Sequence, residues 1–202
     1  MLSRNRKSSP VANVERRLFH LSVGSLIPVV ALFLDEGVTM GLLAFLLLLS
    51  LGVEYTRLRY RPLNDWLIAR FSVLLKEKEH SGLTGATYLV LSCLLAFLLF
   101  DKYIAILAIF FLTVGDPLAA LVGERFGNIR VGPKSLEGTA AFFLAALVLG
   151  GLLSALPQLD IGTRAMVIGA AVAAATEIVP IPVDDNLTIP LVSGGVMTAL
   201  AV

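Results

Sequence analysis

The sequence predicts an all-α protein, a polytopic membrane helix bundle with about seven transmembrane helices. The chain has 202 residues, 57% of them hydrophobic, and its mean hydropathy is +0.87. Apolar runs recur along its whole length, and a helix needs roughly 17–25 mostly apolar residues to cross a bilayer. We therefore expect a single integral membrane domain over residues 1–202, with a cytoplasmic tail at 1–15.

The expected spans are seven apolar runs, of which the second, sixth and seventh are short. In chain order the runs are 18–34, 38–53, 83–100, 103–122, 139–156, 165–179 and 187–202. The first run lacks a cleavage site of the signal-peptide type, which favours a retained helix. Short spans are accommodated by little tilt or by an extra turn at either end.

The segment 62–79, between the second and third runs, carries too many charges to cross a bilayer. Its apolar side chains nevertheless follow helical spacing. They are Trp66, Leu67, Phe71, Leu74 and Leu75. This pattern predicts an amphipathic helix lying in the membrane interface, and a soluble helical arm is the alternative.

Lysine and arginine predict the orientation, because loops on the cytoplasmic side carry an excess of them. Of the sixteen lysines and arginines, only Lys102 and Arg164 fall on the side away from the N-terminus. We therefore expect a cytoplasmic N-terminus in a cell membrane of a prokaryote or an endomembrane. The net charge of +1 leaves no basic face for nucleic acid. The sequence leaves oligomer formation open.

The stretch 115–139 is the most informative part of the chain, because acids, glycines and a lysine interrupt an apolar sequence. Charge inside or beside a membrane is costly and is usually kept for a function. Asp116 precedes Pro117, which favours a helix that breaks at Gly115 and restarts at the proline. The predicted orientation places this stretch on the cytoplasmic side.

If the second half of this helix is regular, four residues share one face at 100° per residue. They are Asp116, Ala119, Gly123 and Gly127. A stripe of small side chains permits close approach of a phosphate, and it equally permits packing of a second helix. The stripe alone favours packing, whereas Asp116 favours a function.

The turn that follows contains residue types suited to a phosphate and a divalent metal. Lys134 offers a point charge, Ser135 and Thr139 offer hydroxyl groups, and Glu137 offers a carboxylate for magnesium. In the alternative interpretation Ser135 caps the next helix, and the charged residues are solvated. The spacing of a P-loop is absent.

Three further polar residues lie near the ends of predicted spans. Glu177 falls within the sixth span, and Asp185 and Asn186 follow it in a turn after two prolines. Asp185 and Asn186 also suit the cap of the last helix. His20 lies in the first span, where it is either a packing and hydrogen-bonding residue or a contact for a lipid headgroup or phosphate.

These residues fall into blocks whose order resembles that of a known family. The blocks are Glu15-Arg16-Arg17-Leu18-Phe19-His20, Glu79 with Gly82 to Tyr88, Gly115-Asp116-Pro117 with Ala119, Gly123 and Gly127, Lys134-Ser135 with Glu137-Gly138-Thr139, and Glu177 with Asp185-Asn186. The chain resembles the CTP-dependent lipid-alcohol kinases, which include dolichol kinase, phytol kinase and the yeast-type diacylglycerol kinase. Because it is short, it is more similar to the phytol kinase-like and prokaryotic members.

The resemblance implies transfer of the γ-phosphoryl group of CTP, with Mg²⁺ as cofactor, to the hydroxyl of a polyprenol, another isoprenoid alcohol or a diacylglycerol. It implies catalytic roles for Asp116, Lys134, Glu137 and Asp185, with all but the lysine as metal ligands. Nucleotide contacts are expected from Gly123, Arg125, Gly127, Arg130, Lys134, Ser135, Gly138 and Thr139. Further site residues are Arg17, His20, Glu79, Glu177 and Asn186.

Two other functions stay open on the sequence. A cytidylyltransferase that makes a CDP-lipid also combines CTP with acids in a membrane bundle. A small transporter or assembly subunit would need no nucleotide. The clustering of ionisable groups on one side of the predicted membrane is evidence against a path across it.

Overall fold

The apolar runs of the sequence form helices along almost the whole chain. The computed structural model describes residues 10–158 and 161–201. Its α-helices are α1 (Pro10–Phe33), α2 (Glu36–Arg59), α3 (Arg61–Phe71), α4 (Gly85–Leu99), α5 (Lys102–Phe126), α6 (Leu136–Leu153), α7 (Thr163–Ile178) and α8 (Asp185–Ala201). A single 3₁₀ turn (Glu77–His80) precedes α4. Strands β1 (Arg130–Val131) and β2 (Lys134–Ser135) form an antiparallel pair between α5 and α6.

A helix occupies each of the seven predicted runs, so the all-α prediction is confirmed. Four helical segments are long and apolar enough to cross a membrane, namely Val14–Phe33, Glu36–Arg59, Lys102–Phe126 and Leu136–Leu153. Helix α4 is apolar but shorter. That all seven helices cross, and that the N-terminus is cytoplasmic, stay predictions. Most of the predicted tail, including Arg4, Arg6 and Lys7, lies outside the described residues, and so does Val202.

Helix α5 forms the centre of the bundle. Every residue from Ile104 to Thr113 is buried, and the helix contacts α1, α4, α6, α7 and α8. By contrast, α2 lies at the edge, where Phe45 and Leu48 are exposed. Exposed apolar faces of this size are typical of a surface that meets lipid or another apolar partner.

The predicted break in the fourth span is wrong, because α5 continues through Pro117 to Phe126. Proline removes one helical hydrogen bond, but tertiary packing holds the helix on both sides of it. At Gly115 a Cβ atom would lie 2.7 Å from the ring of Phe142, so α6 presses directly on the backbone of α5. Membrane helices tolerate such prolines when neighbouring helices support them.

The predicted helix over 62–79 is partly wrong, because α3 ends at Phe71 and the chain then turns. The 3₁₀ turn that follows is held by Glu79, whose carboxylate accepts hydrogen bonds from the backbone N–H groups of Lys76 and Gly85 at 3.1 Å. These bonds compete with continuation of the helix. The segment therefore consists of a short helix and a folded turn.

All the loops that contain the candidate residues meet at one end of the bundle, which we call the basic end. There Arg17 of α1 pairs with Glu124 of α5, and Lys78 pairs with Asp184 at 2.9 Å. At the opposite end Lys102 donates to the carbonyl of Leu34 at 2.7 Å. Polar loops therefore concentrate where the predicted cytoplasmic side lies.

Arg57 connects the basic end of α2 to the loop before α4 through hydrogen bonds. Its guanidinium donates to the carboxylate of Glu54, to the side-chain oxygen of Asn64 at 2.9 Å and to the carbonyl of Gly82. Glu54 also accepts from the backbone N–H of Thr84 at 2.9 Å. Arg57 and Glu54 are about 95% buried, with 4% and 5% of their side chains exposed. Each charge in this pair therefore depends on the other.

We expect Arg57→Met to destabilise the protein by about 3–5 kcal/mol, because it leaves the buried Glu54 carboxylate without its cation. Thermal unfolding in detergent measures the effect. Arg59→Met is the matched control, since Arg59 lies on the same helix and is exposed. Equal unfolding midpoints for the two variants would contradict this account of the pair.

Candidate active site

A cavity of about 700 Å³ opens at the basic end between α1, the segment 67–79, the start of α4, and α5. Its apolar lining residues are Phe19, Val23, Leu67, Phe71, Leu74, Leu75, Ala86, Leu89, Pro117, Ala120 and Pro133. Its cationic lining residues are Arg16, Arg17, Arg57, Lys76, Lys78 and Lys134. Two acids, Glu79 and Asp116, line it as well. The cavity therefore suits a ligand with an anionic part and an apolar part.

Asp116 stands out among the acids of the cavity. Its side chain is half-buried, and within the described residues it has neither a hydrogen bond nor an ion pair in the structure. Glu79 differs, because both its oxygens accept backbone N–H groups. A carboxylate beside a membrane that has no direct partner is costly, and such a cost usually has a function.

Lys134 joins three segments at the edge of the cavity. Its ammonium lies 2.9 Å from a carboxylate oxygen of Asp185 and 3.4 Å from one of Glu177, and it donates to the backbone carbonyl of Glu177. The hydroxyl of Thr139 donates to the other oxygen of Glu177 at 3.0 Å. The structure therefore brings β2, α6, α7 and α8 together at these four side chains.

Neighbouring carboxylates keep the ammonium group of Lys134 protonated. Burial by itself lowers the pKa of this ammonium, but the carboxylates of Asp185, Glu177 and Asp116 raise it more, so the pKa lies above its usual value. Lys134 therefore stays protonated at neutral pH and becomes neutral only in strongly alkaline solution. A positive charge is available to a phosphate over the whole physiological range.

Asp184, directly before α8, binds a second lysine of the cavity, Lys78. Asp184 is buried and accepts from Lys78 Nζ and Asn186 Nδ2, both at 2.9 Å. Asn186 in turn donates to the carbonyl of Gly85 at 3.1 Å. Burial alone raises the pKa of Asp184, but the hydrogen bond from Lys78 and the charge of Lys76 bring it below its usual value. The adjacent acids 184 and 185 thus hold two cations of the cavity.

The small-residue stripe packs α5 against β2 and α6. A Cβ atom at Gly123 would lie 2.8 Å from the hydroxyl of Ser135, and one at Gly127 would lie 2.6 Å from the same atom. Ser135 caps α6 by accepting from the N–H of Gly138 at 3.1 Å. These residues are absent from the lining of the cavity. The contacts support the packing interpretation of Gly123, Gly127, Ser135 and Gly138, and their nucleotide contacts stay a prediction.

We expect Gly138→Ala to lower stability by about 1–3 kcal/mol, the usual cost of overpacking. The new Cβ would lie 2.5 Å from the backbone carbonyl oxygen of Ala119, an atom that cannot rotate away. Gly151→Ala on the same helix is the control, because nothing lies within 4 Å of its Cβ position. Thermal unfolding in detergent compares the two. A destabilised Gly151→Ala with an unchanged Gly138→Ala would contradict the packing account.

Three further predicted residues, besides those of the stripe and of the Lys134 cluster, are absent from the cavity wall. Arg125 and Arg130 are exposed. Glu137 turns toward the loop after α5, where it accepts from the backbone N–H groups of Asn128 at 3.0 Å and Ile129 at 3.2 Å. Its carboxylate therefore shapes the connection between α5 and β1. The structure does not bring Glu137 to the cavity beside Asp116.

The remaining predicted residues stand at the cavity. Arg17 lines it while pairing with Glu124, and His20 lines it one turn further along α1. Asn186 lines it from the start of α8. Glu79 lines it and anchors the start of α4 through Gly85.

Sequence reasoning assigned no site role to Arg16, Arg57, Lys76 and Lys78, which line the cavity, or to Asp184, which stood out only as part of the acidic turn 184–186. The head group of Lys76 has no partner among the described residues, so it is available to an anion. Because they lie in a charged loop and at the end of a span, the local pattern did not distinguish them from solvated charges. The excess of basic residues before α4 was the one indication in the sequence.

Magnesium prefers one or two carboxylates together with phosphate oxygens and water. Within 10–158 and 161–201, no group of three or more acidic, histidine or cysteine side chains gathers as a metal site. Asp116, which has no ion-pair partner among the described residues, suits one such carboxylate. Asp185 is paired with Lys134 at 2.9 Å and would have to exchange this contact to serve as a second. A single unpaired carboxylate suits a metal ion whose other ligands are phosphate oxygens and water.

Comparison with known proteins finds relatives among membrane lipid kinases. The chain is 33% identical over 135 residues to a probable chloroplastic phytol kinase of Triticum aestivum, covering 59% of this chain and 45% of that protein. It is 26% identical over 147 residues to dolichol kinase of Saccharomyces cerevisiae, covering 70% and 28%. It is 25% identical over 145 residues to CTP-dependent diacylglycerol kinase 1 of the same yeast, covering 67% and 48%.

The chain thus spans less than half the length of each of these three relatives. No protein-family model matches it, and no solved structure matches it. The three names describe a probable phytol kinase, a dolichol kinase and a diacylglycerol kinase, each with a different lipid. Over 59–70% of its length the chain is therefore similar to proteins named as lipid kinases.

Proposed function

We propose that the protein is a membrane lipid-alcohol kinase that transfers the γ-phosphoryl group of CTP to the hydroxyl of a lipid. The observation that carries the proposal is Asp116, a carboxylate without a partner among the described residues, on the wall of a cavity lined by both cations and apolar side chains. Phosphoryl transfer depends on positioning the reactants and neutralising negative charge. The cavity offers cations that would neutralise phosphate charge and apolar residues that would position a lipid.

The cations would neutralise the triphosphate. Lys134 donates a hydrogen bond to Asp185, and Lys78 donates one to Asp184. Each lysine would exchange part of this carboxylate contact for phosphate oxygens. Lys76 and Arg16 line the same wall without partners in the described part of the chain. Cytosine-specific contacts stay a prediction, and the relative named as a CTP-dependent kinase supports CTP as the donor.

In the proposed reaction the lipid hydroxyl oxygen forms a bond to the γ-phosphorus. The bond from that phosphorus to the bridging oxygen breaks, CDP leaves with the electron pair, and the hydroxyl proton is lost to a base. Magnesium would supply charge neutralisation on the triphosphate when bound, with Asp116 and Asp185 as its protein ligands. Asp185 is alternatively the base.

The acceptor would be a polyprenol, another isoprenoid alcohol such as phytol, or a diacylglycerol. Support comes from the names of the relatives, which cover phytol, dolichol and diacylglycerol, and from the apolar part of the cavity. A site on the cytoplasmic side, where CTP and magnesium are present, follows from the predicted orientation. Particular closeness to short, prokaryotic phytol kinase-like members also stays a prediction.

The test uses the purified chain in detergent with CTP or ATP, with Mg²⁺ or EDTA. The acceptor panel is phytol, geranylgeraniol, a polyprenol and a diacylglycerol. The expected result is a phosphorylated lipid together with CDP, dependent on Mg²⁺. Pyrophosphate and a CDP-lipid from a phosphorylated lipid would instead indicate the cytidylyltransferase. Absence of product together with absence of any nucleotide-dependent thermal shift would indicate a non-enzymatic role.

A further inference from the structure

His20 has a ring nitrogen that no described residue satisfies. Its Nε2 atom is buried and lacks a hydrogen-bond partner, although the residue lines the cavity. Most buried polar atoms in proteins are hydrogen-bonded, and one that is not calls for an explanation such as a bound ligand. Packing alone does not supply one, because an apolar side chain would fill the space without the cost of desolvating a nitrogen.

Along α1, His20 lies between two cations and the deeper lining residues of the cavity. Arg16 and Arg17 line the cavity about one turn nearer the basic end, and Val23 and Gly24 line it about one turn deeper. At 1.5 Å per residue these steps are each about 5 Å. His20 is therefore within about one turn of both cations of the helix and of Val23, and it directly follows the apolar Phe19, which also lines the cavity.

Two contacts align α1 with α5. Arg17 pairs with Glu124, and the Ser25 hydroxyl donates to Thr113 Oγ1 at 3.1 Å. His20 lies between these contacts on α1, and Asp116 lies between them on α5. Both residues line the cavity, and counting along the helices from these two contacts sets their levels about one turn apart.

A lipid alcohol carries one hydroxyl at the end of a long hydrocarbon chain. With its chain among the apolar side chains and its oxygen directed at a phosphate held by the cations, the hydroxyl would lie near His20. We infer that His20 Nε2 accepts a hydrogen bond from the hydroxyl of the acceptor lipid and so orients its oxygen for transfer. This role rests on the proposed function, because it locates the acceptor of that reaction.

The direct test follows the nitrogen itself and needs no turnover. The chain has two histidines, so His80→Gln leaves His20 as the one ¹⁵N-histidine resonance set in labelled protein. The probes are geranylgeraniol, phytol and 1,2-dioctanoylglycerol, with the methyl ether of geranylgeraniol as the control that cannot donate. We expect at least one alcohol to shift the Nε2 resonance while the ether does not. No shift with any alcohol, or an equal shift with the ether, would overturn the assignment even if kinase activity is present.

A kinetic test separates orientation from a merely structural role. His20→Ala should raise the KM for the lipid about 3- to 10-fold, the effect of one hydrogen bond, and leave the KM for CTP within about twofold. His20→Gln, which keeps an acceptor atom, should recover much of the loss, and His80→Gln should behave like the unmodified protein. An unchanged lipid KM in His20→Ala would contradict the inference. A structural role would lower the unfolding midpoint and raise both KM values together.

Discussion

Asp116→Asn should lower kcat for lipid phosphorylation by about 10²- to 10³-fold, the usual effect of removing one electrostatic group from a reacting site, because the proposed magnesium site would lose a carboxylate ligand. The substitution keeps the size of the side chain and removes its negative charge. Asp116 has no ion-pair partner among the described residues, so stability should be equal to or slightly above that of the unmodified protein. Initial rates at saturating CTP and lipid, together with thermal unfolding in detergent, measure the two quantities.

Asp65→Asn is the matched control, because Asp65 is exposed on α3 and does not line the cavity. Its rate should stay within about twofold of the unmodified value, as expected for a solvated surface charge. Titration with Mg²⁺ adds a second readout, since loss of a metal ligand should raise the concentration required for half-maximal rate. A fully active Asp116→Asn would refute the catalytic assignment of this residue.

Lys134→Met should have two separable effects. It removes a charged donor from the proposed phosphate site, worth about 1.5–3 kcal/mol, so kcat/KM for CTP should fall about 10- to 100-fold. It also leaves the buried carboxylate of Glu177 without its cation, so stability should fall by up to about 3 kcal/mol. Steady-state kinetics and thermal unfolding in detergent measure the two effects.

A second substitution distinguishes these effects. Glu177→Gln in the Lys134→Met background removes the unpaired charge, so it should restore stability without restoring the rate. Arg130→Met serves as the control for nearby positive charge, because Arg130 is exposed and lies off the cavity wall. If Arg130→Met reduced the rate as much as Lys134→Met, the nucleotide would have to lie outside the cavity.

Much of the fold was predictable because hydrophobicity is a local property of the chain. Apolar runs located a helix at each of the seven predicted positions, and the largest differences arose where side-chain contacts override local pattern. Helix α2 continues to Arg59, beyond the predicted end at residue 53, because Glu54 and Arg57 neutralise each other inside the bundle. Helix α5 continues through Pro117 because Phe142 packs against Gly115.

The sequence predicted the positions of some site residues better than those of others. Asp116, Lys134, Asp185 and Asn186 do meet at one end of the bundle, as a cluster of unusual charges in an apolar chain indicated. Glu137 was predicted as their neighbour from its closeness in sequence to Lys134. In the structure its carboxylate binds the backbone of the preceding loop. Closeness along the chain did not determine the direction of a side chain at the start of a helix.

The sequence by itself determined that the chain is a helical membrane-type protein and that its unusual charges lie toward one end of the predicted helices. Hydropathy and charge are sums over neighbouring residues, so both can be obtained without coordinates. Only the tertiary structure decided which charges have partners and which lack one at a cavity. The distinction between Glu137 and Asp116, or between a hydrogen-bonded imidazole and the buried, unpartnered Nε2 of His20, depends on residues distant in sequence.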